Sequence, residues 1–382
     1  MSLGERVPKL RFPGFEGVWE AKSLRNECTF YSGGTPDSTN KKFYNGNIPF
    51  IRSAEIDKSV TQLFLTKKGL NGSSAKLVSI GDLLLALYGA NSGEVAISRI
   101  NGAINQAILC IRSNTVNINF LKYLLERDKA SIINRYLQGG QGNLSAEIIK
   151  ELNFYFPDRI LQDKITHLLE MVEKRLAAQR KLVELLKKHK RGLLREVFEE
   201  NNEGDYRPFS EIAKRRNDKI APMPDSTLKC IELEHIEPET GRIIGSVPLK
   251  RQTSLKNFCR PDDIIFGKLR PYLRKFAFAE DDSAASSETW VLVAVKDILP
   301  RFLFYLIQSE PFMRAASVSS GTKMPRSEWS NVAGARFRIP DERRQCIIAE
   351  SFSLFDKRIQ ESQLIAEAME RVKRGLLQAL FV

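Results

Sequence analysis

The sequence predicts an α+β protein made by duplication: two copies of one α+β domain separated by two long antiparallel coiled-coil helices, related by an approximate internal two-fold axis. Three observations predict it. Residues 156–198 and 339–381 align without a gap at a constant offset of 183, closing on Lys190-Arg191-Gly192-Leu193-Leu194 and Lys373-Arg374-Gly375-Leu376-Leu377. Both copies carry a four-three apolar alternation, the signature of a coiled coil. β-rich runs followed by a short helix precede each copy in the same order, at offsets drifting from 180 to 182. A repeat of that length is a duplicated domain and not a solenoid.

The segments follow from the alignment: a first domain over 1–156, a helix over 157–199, a second domain over 200–339 and a second helix over 340–382. In the first domain 47–51, 83–87, 94–99 and 107–112 read as strands and 119–127 as a helix. Their counterparts are 227–232, 264–269, 273–279 and 289–295, with a helix at 300–308. In the first long helix the seam is Ile165, Leu169, Val172, Leu176, Gln179, Val183 and Leu186; in the second it is Ile348, Phe352, Phe355, Ile359, Ser362 and Met369. Pro157 and Pro340 are expected at the first helical position, each with an acid following. Each helix should run roughly 60 Å. The order domain, helix, domain, helix makes the helices antiparallel if they share one coil. The polar break then falls at mid-length, Gln179 facing Ser362, a device that fixes register. Residues 199–205 form a polar, glycine-containing joint.

A length of 382 residues points to two or three domains, and 42% hydrophobic residues is ordinary for a globular chain. No apolar run reaches membrane-span length and no secretory pattern opens the sequence, so a cytoplasmic, non-membrane protein is expected. Cys28, Cys110, Cys230, Cys259 and Cys346 are odd in number and scattered, which reads as reduced thiols and not as a disulfide frame or zinc site. The net charge of +13 favours a polyanionic partner, and the excess is spread over folded segments, with 340–382 neutral.

Catalytic patterns are missing. His167, His189 and His235 are too few and too scattered for acid-base or metal schemes. There is no phosphate loop, no dinucleotide fingerprint and no Asn-Pro-Pro-aromatic tetrapeptide of amino-methyltransferases. A non-catalytic chain is expected, with no cofactor or metal of its own.

The candidate contacts lie at loops. Lys268-Leu269-Arg270-Pro271-Tyr272-Leu273-Arg274-Lys275 reads as a hairpin tip, and period two would put Lys268, Arg270, Tyr272 and Arg274 on one side, although Pro271 favours a turn. Arg and Lys suit phosphates and guanine edges; Tyr suits sugar contact or stacking. The aligned tip of the first domain offers Tyr88 and Asn91, the latter able to pair with an adenine edge. A second loop before each long helix offers Gln141 and Asn143, and Lys323 and Arg326. Arg52 is a weaker candidate, as apt for a surface salt bridge. One scaffold with two different tips implies two different half-sites. Lys190, Arg191, Lys373 and Arg374 recur near both helix ends, where cations suit the helix dipole; the recurrence favours docking of a partner bound twice.

Assembled, the chain resembles the specificity subunit of a type I restriction-modification enzyme. The carrying residues are Pro8-Lys9-Leu10-Arg11-Phe12-Pro13-Gly14-Phe15 with Trp19, Gly33-Gly34-Thr35-Pro36, and the Pro157…Gln162…Ile165 and Pro340…Gln345…Ile348 helix openings. Leu161 and Arg344 stand where the family usually has Glu. The resemblance implies that each domain is a target-recognition domain reading one part of a split, asymmetric double-stranded DNA site. The half-site centres would lie about one helical turn, ~34–36 Å, apart. It implies that the helices set the gap and dock two methyltransferase subunits, with restriction subunits joining the complex. S-adenosylmethionine, ATP and Mg would belong to those partners, which would flip out an adenine for methylation. The competing reading is a coiled-coil scaffold binding protein or RNA without DNA sequence preference.

Overall fold

The computed structural model describes residues 7–137, 143–200, 204–318 and 324–382. The chain divides into two compact units, residues 1–176 with 368–382, and residues 177–367. In the first unit β1 (Glu20–Ser23) pairs antiparallel with β10 (Asn153–Phe156). Between them lie β2 (Thr29–Ser32), β3 (Tyr44–Ile51), β4 (Leu63–Leu65), β5 (Lys76–Val78), β6 (Leu83–Ala86), β7 (Val95–Ile97), β8 (Gly102–Ile104) and β9 (Ile108–Arg112). They form two four-stranded sheets, ordered β2-β9-β6-β7 and β4-β3-β8-β5. Helix α1 (Ile118–Leu137) and the short α2 (Ala146–Lys150) follow the strands.

The second unit repeats this plan. β11 (Asp205–Pro208) pairs with β21 (Arg336–Ile339). Within that frame stand β12 (Ala213–Arg215), β13 (Lys219–Ile220), β14 (Lys229–Ile231), β15 (Val247–Pro248), β16 (Lys256–Cys259), β17 (Ile264–Gly267), β18 (Phe276–Phe278), β19 (Ser283–Ala285) and β20 (Thr289–Ala294). The sheets are β12-β20-β17-β18 and β13-β16-β19-β14-β15, the second carrying one strand more than its counterpart. The parallel pair β3/β8 recurs as β14/β19. The register Leu83↔Ile111 recurs as Ile264↔Leu292, an offset of 181 in both strands. Helices α4 (Pro300–Leu306), α5 (Glu310–Ser317) and α6 (Trp329–Gly334) complete the domain. The strand core was anticipated, but short strands such as β4 and β13 have too few residues to show a period.

The long helices are α3 (Arg159–Arg195), continued by a π turn over Glu196–Glu200, and α7 (Glu342–Ala379). The expectation about proline needs correcting. Both helices begin two residues after it, and the following acid is the cap: Asp158 Oδ1 accepts from Leu161 N at 2.8 Å, Asp341 Oδ1 from Arg344 N at 2.8 Å. A side-chain acceptor at that place satisfies one of the free first-turn amides. Gln162 and Gln345, both buried, then tie helix to domain. Gln162 accepts from Asn117 N and donates to Pro157 O, each at 2.9 Å. Gln345 accepts from Leu299 N at 2.9 Å and donates to Pro340 O at 3.0 Å.

In the first unit the start of α3 and the end of α7 share one core: Ile165, Leu169, Leu377, Leu380 and Phe381 pack with Trp19, Phe120 and Phe156. The second unit mirrors it with Ile348, Phe352, Leu194 and Phe198 around Phe302 and Leu303. Within each unit the two helix segments run antiparallel. Gln179 Nε2 donates to Ser362 O at 3.0 Å, and Leu176, Ile359 and Ser362 are buried while Val172, Val183, Leu186, Phe355 and Met369 are half-buried. Near the C-termini the most buried positions step by four, Lys190, Leu194 and Phe198, whereas the four-three alternation continued past Leu186 gives Lys190, Leu193 and Val197. There the helix packs on its domain's core and the 3.6-residue period replaces 3.5.

Candidate nucleic-acid interface

The predicted loops come together in each domain through the backbone. In the second, the tip between β17 and β18 is stitched to the loop before α6: Arg270 N donates to Pro325 O and Ser327 N to Lys268 O, both at 2.8 Å. Leu269 and Arg326 form an isolated bridge. In the first, Leu144 N donates to Leu87 O at 3.1 Å, setting exposed Asn143 beside exposed Tyr88 and half-buried Asn91. Gln141 and Lys323 lie outside the described residues.

The second tip is a 3-10 turn, Pro271–Leu273, flanked by Arg270 and Arg274, both at φ +51°. A strand-like alternation is therefore absent. Arg270 and Tyr272 are exposed, and Lys268 is half-buried. Arg274 turns inward instead: its side chain is 16% exposed, and its guanidinium donates to Glu310 Oε1 at 2.7 Å and Gln308 O at 2.5 Å. Local structure, not a ligand, occupies it. Arg52 is likewise occupied, donating to Glu55 and to Gln62 Oε1 at 2.6 Å around a capped 3-10 turn. Arg326 is exposed but pairs with Glu288 at 3.0 and 3.2 Å, and that hydrogen-bonded pairing holds the Glu288 carboxyl below its usual range.

The predicted docking lysines are also corrected. Lys190 and Lys373 are buried. Lys190 Nζ donates to Asp356 Oδ1 at 2.6 Å and Gln308 Oε1 at 2.8 Å; Lys373 Nζ lies 2.5 Å from Glu126 and 2.7 Å from Glu173. Their neighbours Arg191 and Arg374 are exposed, Arg191 with Glu239 at 2.9 Å. A lysine at a seam position has to find carboxylates inside the chain, and these do. The histidines are similarly local: His235 Nδ1 accepts from Glu232 N at 3.1 Å, and His189 packs edge-on against Phe355.

The structure adds residues that the sequence reading passed over. A cavity of about 480 Å³ beside the second tip is lined by Arg215, Lys268, Trp290, Met324, Arg326 and Trp329. The basic run Lys214-Arg215-Arg216 was the available signal, and only the sheet places it next to residues 268 and 326. Among the described residues no cluster of His, Cys, Asp or Glu is arranged to hold a metal.

Residues 17–187 match the family model of the type I restriction modification DNA specificity domain. The type I restriction enzyme MjaVIII specificity subunit of Methanocaldococcus jannaschii is 19% identical, the alignment covering 95% of this chain and 92% of that one. This chain is a homologue of type I specificity subunits. The MjaIX specificity subunit of the same organism is 24% identical over 53% of this chain and 48% of its own. The S subunit of the M. genitalium type I restriction-modification system shares the fold, with TM-score 0.60 at 13% identity over 98% and 99% of the chains. So does a chain from a structure addressing complex assembly and conformational transition of the type I R-M system, with TM-score 0.57 at 13% identity over 96% and 98%. The matching family model is that of a DNA specificity domain, and both curated relatives are named as specificity subunits of type I restriction enzymes. No described helix is long and apolar enough to cross a membrane.

The motifs that carry the resemblance turn out to build the frame. A Cβ on Gly33 would lie 1.7 Å from Ile104 O, and one on Gly34 would lie 1.8 Å from Ser74 Oγ, so only glycine fits. Leu10 N donates to Ala379 O at 2.8 Å, and Trp19 packs against Phe120 and Phe381 at 5.9 and 6.4 Å.

Proposed function

We propose that the chain reads a bipartite, asymmetric double-stranded DNA sequence, with 1–156 and 200–339 as target-recognition domains and the helices at 157–199 and 340–382 as the spacer that sets the gap. The supporting observation is a shared scaffold with unlike tips: Tyr88, Asn91 and Asn143 on one domain, Lys268, Arg270 and Tyr272 on the other. Amide and phenol groups suit adenine edges and sugar; cations suit phosphates and guanine. The exposed Arg191 and Arg374, repeated at the duplication offset, are the docking residues that remain for two methyltransferase subunits. Restriction subunits complete the assembly. S-adenosylmethionine, ATP and Mg act in those partners, and the complex works in the cytoplasm.

The test is a gel shift of the chain with its methyltransferase partner on duplexes of differing sequence, alongside a map of methylated adenines in the source genome. A two-part motif bound selectively supports the reading. Uniform affinity for all duplexes favours a scaffold without sequence preference. Lengthening both helices by one heptad should change the tolerated gap and leave the bases read unchanged.

A further inference from the structure

We infer that the cavity between β12, the second tip and α6 is a seat for one backbone phosphate of the duplex, and that Arg215 is its principal ligand; this rests on the DNA-reading function proposed above. Arg215 ends β12 and is exposed, its guanidinium 4.9 Å from the centroid of Trp329. Trp329 is held edge-on by the buried Trp290, centroids 5.5 Å apart at 88°. An arginine laid on an aromatic face keeps its donors in a fixed plane at little entropic cost, the arrangement that suits phosphate oxygens. Among the described residues Arg215 has no carboxylate within ion-pair distance, in contrast to Arg326, which Glu288 occupies. Lys268 brings a second cation to the cavity wall. Glu328 at the rim and Glu288 leave three cations against two carboxylates, so the seat is still net positive.

A structural role would be expected to recur in the other copy of the fold, and this one does not. Strand register places Phe30 where Arg215 stands and Leu109 where Trp290 stands. Leu87, Asn143 and Ala146 take the places of Lys268, Arg326 and Trp329. None of the three cations and neither tryptophan of the seat is thus present in a domain that folds to the same plan. The cations are therefore no part of the shared frame, while Trp290 and Trp329 also pack on the core of this domain, against Phe266 and Phe209. Lying beside Arg270 and Tyr272, it would fix the register of the second domain on the duplex, while the tip reads bases.

The experiment is fluorescence anisotropy of a labelled duplex with the full chain, wild type against Arg215→Ala and Arg215→Lys, over a series of salt concentrations. Arg215→Ala should weaken binding on the order of tenfold on every duplex sequence. It should also reduce the slope of log K against log salt by about one. Arg215→Lys, which keeps the charge, should retain the slope. Unchanged affinity and slope in Arg215→Ala would overturn the phosphate seat and leave the DNA-reading function standing. A loss confined to duplexes carrying one base pair would make Arg215 a base reader and overturn it equally. If the wild type shows no sequence preference but Arg215→Ala still lowers the slope, the seat stands and the reading of a specific sequence falls.

Discussion

Lys190 Nζ lies 2.6 Å from the carboxylate of Asp356, and the same contact recurs as Lys373 with Glu173 at 2.7 Å, 183 residues after Lys190 and 183 before Asp356. Each pair is completed by a tyrosine from the neighbouring domain helix, Tyr305 to Asp356 at 2.9 Å and Tyr123 to Glu173 at 2.8 Å. The outer members differ in a compensated way. Lys122 and Glu126 of the first unit are replaced by Phe304 and Gln308 in the second, so each network keeps equal numbers of cations and carboxylates. A buried ion pair contributes little net stability over an apolar pair, but losing one partner leaves an uncompensated charge. Lys190→Met should therefore cost about 3 kcal/mol, and Lys190→Met with Asp356→Leu should recover much of it. Denaturant titration of the four members of that double-mutant cycle measures the coupling.

The first-unit network also sets a pH dependence. Burial alone would raise the Glu173 carboxyl, but Lys122 and Lys373 outweigh it and hold it at about 2, below its ordinary 4.5. A carboxylate with a depressed folded-state pKa contributes stability that is fully present above its unfolded value. That contribution is lost as pH falls from about 4.5 through about 2. Glu173→Gln should lower the melting temperature at pH 7 and flatten its decline between those two values. A decline as steep as that of wild type would show that the acid sensitivity lies elsewhere.

How much of this was legible in the sequence depends on whether a residue's role is local or tertiary. The seam, with Gln179 beside Ser362, could be read because a helix repeats at a fixed period. The strands β6, β9, β17 and β20 could be read because each is a continuous apolar run. Lys190 and Lys373 were assigned to partner docking because nothing near them in sequence announces Asp356 or Glu126, which arrive from other helices. Arg274 was misread for the same reason: Glu310 and Gln308 lie more than thirty residues on. Arg215 and Trp329 were missed because their proximity exists only after the sheet forms.

Gln162 and Gln345 give a stability prediction of the same duplicated kind. Alanine at either position strands a backbone N–H, from Asn117 or Leu299, and a proline carbonyl. Leaving such groups buried without partners costs about 1–3 kcal/mol each. Scanning calorimetry should show a clearly lower melting temperature for Gln162→Ala and for Gln345→Ala. Hydrogen exchange should rise around 117 in the first variant and around 299 in the second. Equal exchange at both places in either variant would mean that the contacts do not act locally.

The second tip separates two arginines that the sequence treats alike. Arg274 is held at φ +51° with its guanidinium on Glu310 and on the Gln308 carbonyl. Arg274→Ala should destabilise the domain by roughly 1.5–3 kcal/mol, the range for hydrogen bonds to charged groups. It should weaken DNA binding without changing which bases are preferred. Arg270 is exposed beside Tyr272, so Arg270→Ala should leave the melting temperature nearly unchanged. On the proposed function it costs roughly 1–3 kcal/mol at one position of one half-site. Thermal melts of both variants, with competition binding against duplexes substituted in either half-site, divide the cases. Equal losses at both half-sites for Arg270→Ala would remove the tip from the reading surface, because a side chain on one domain cannot discriminate bases at the site of the other.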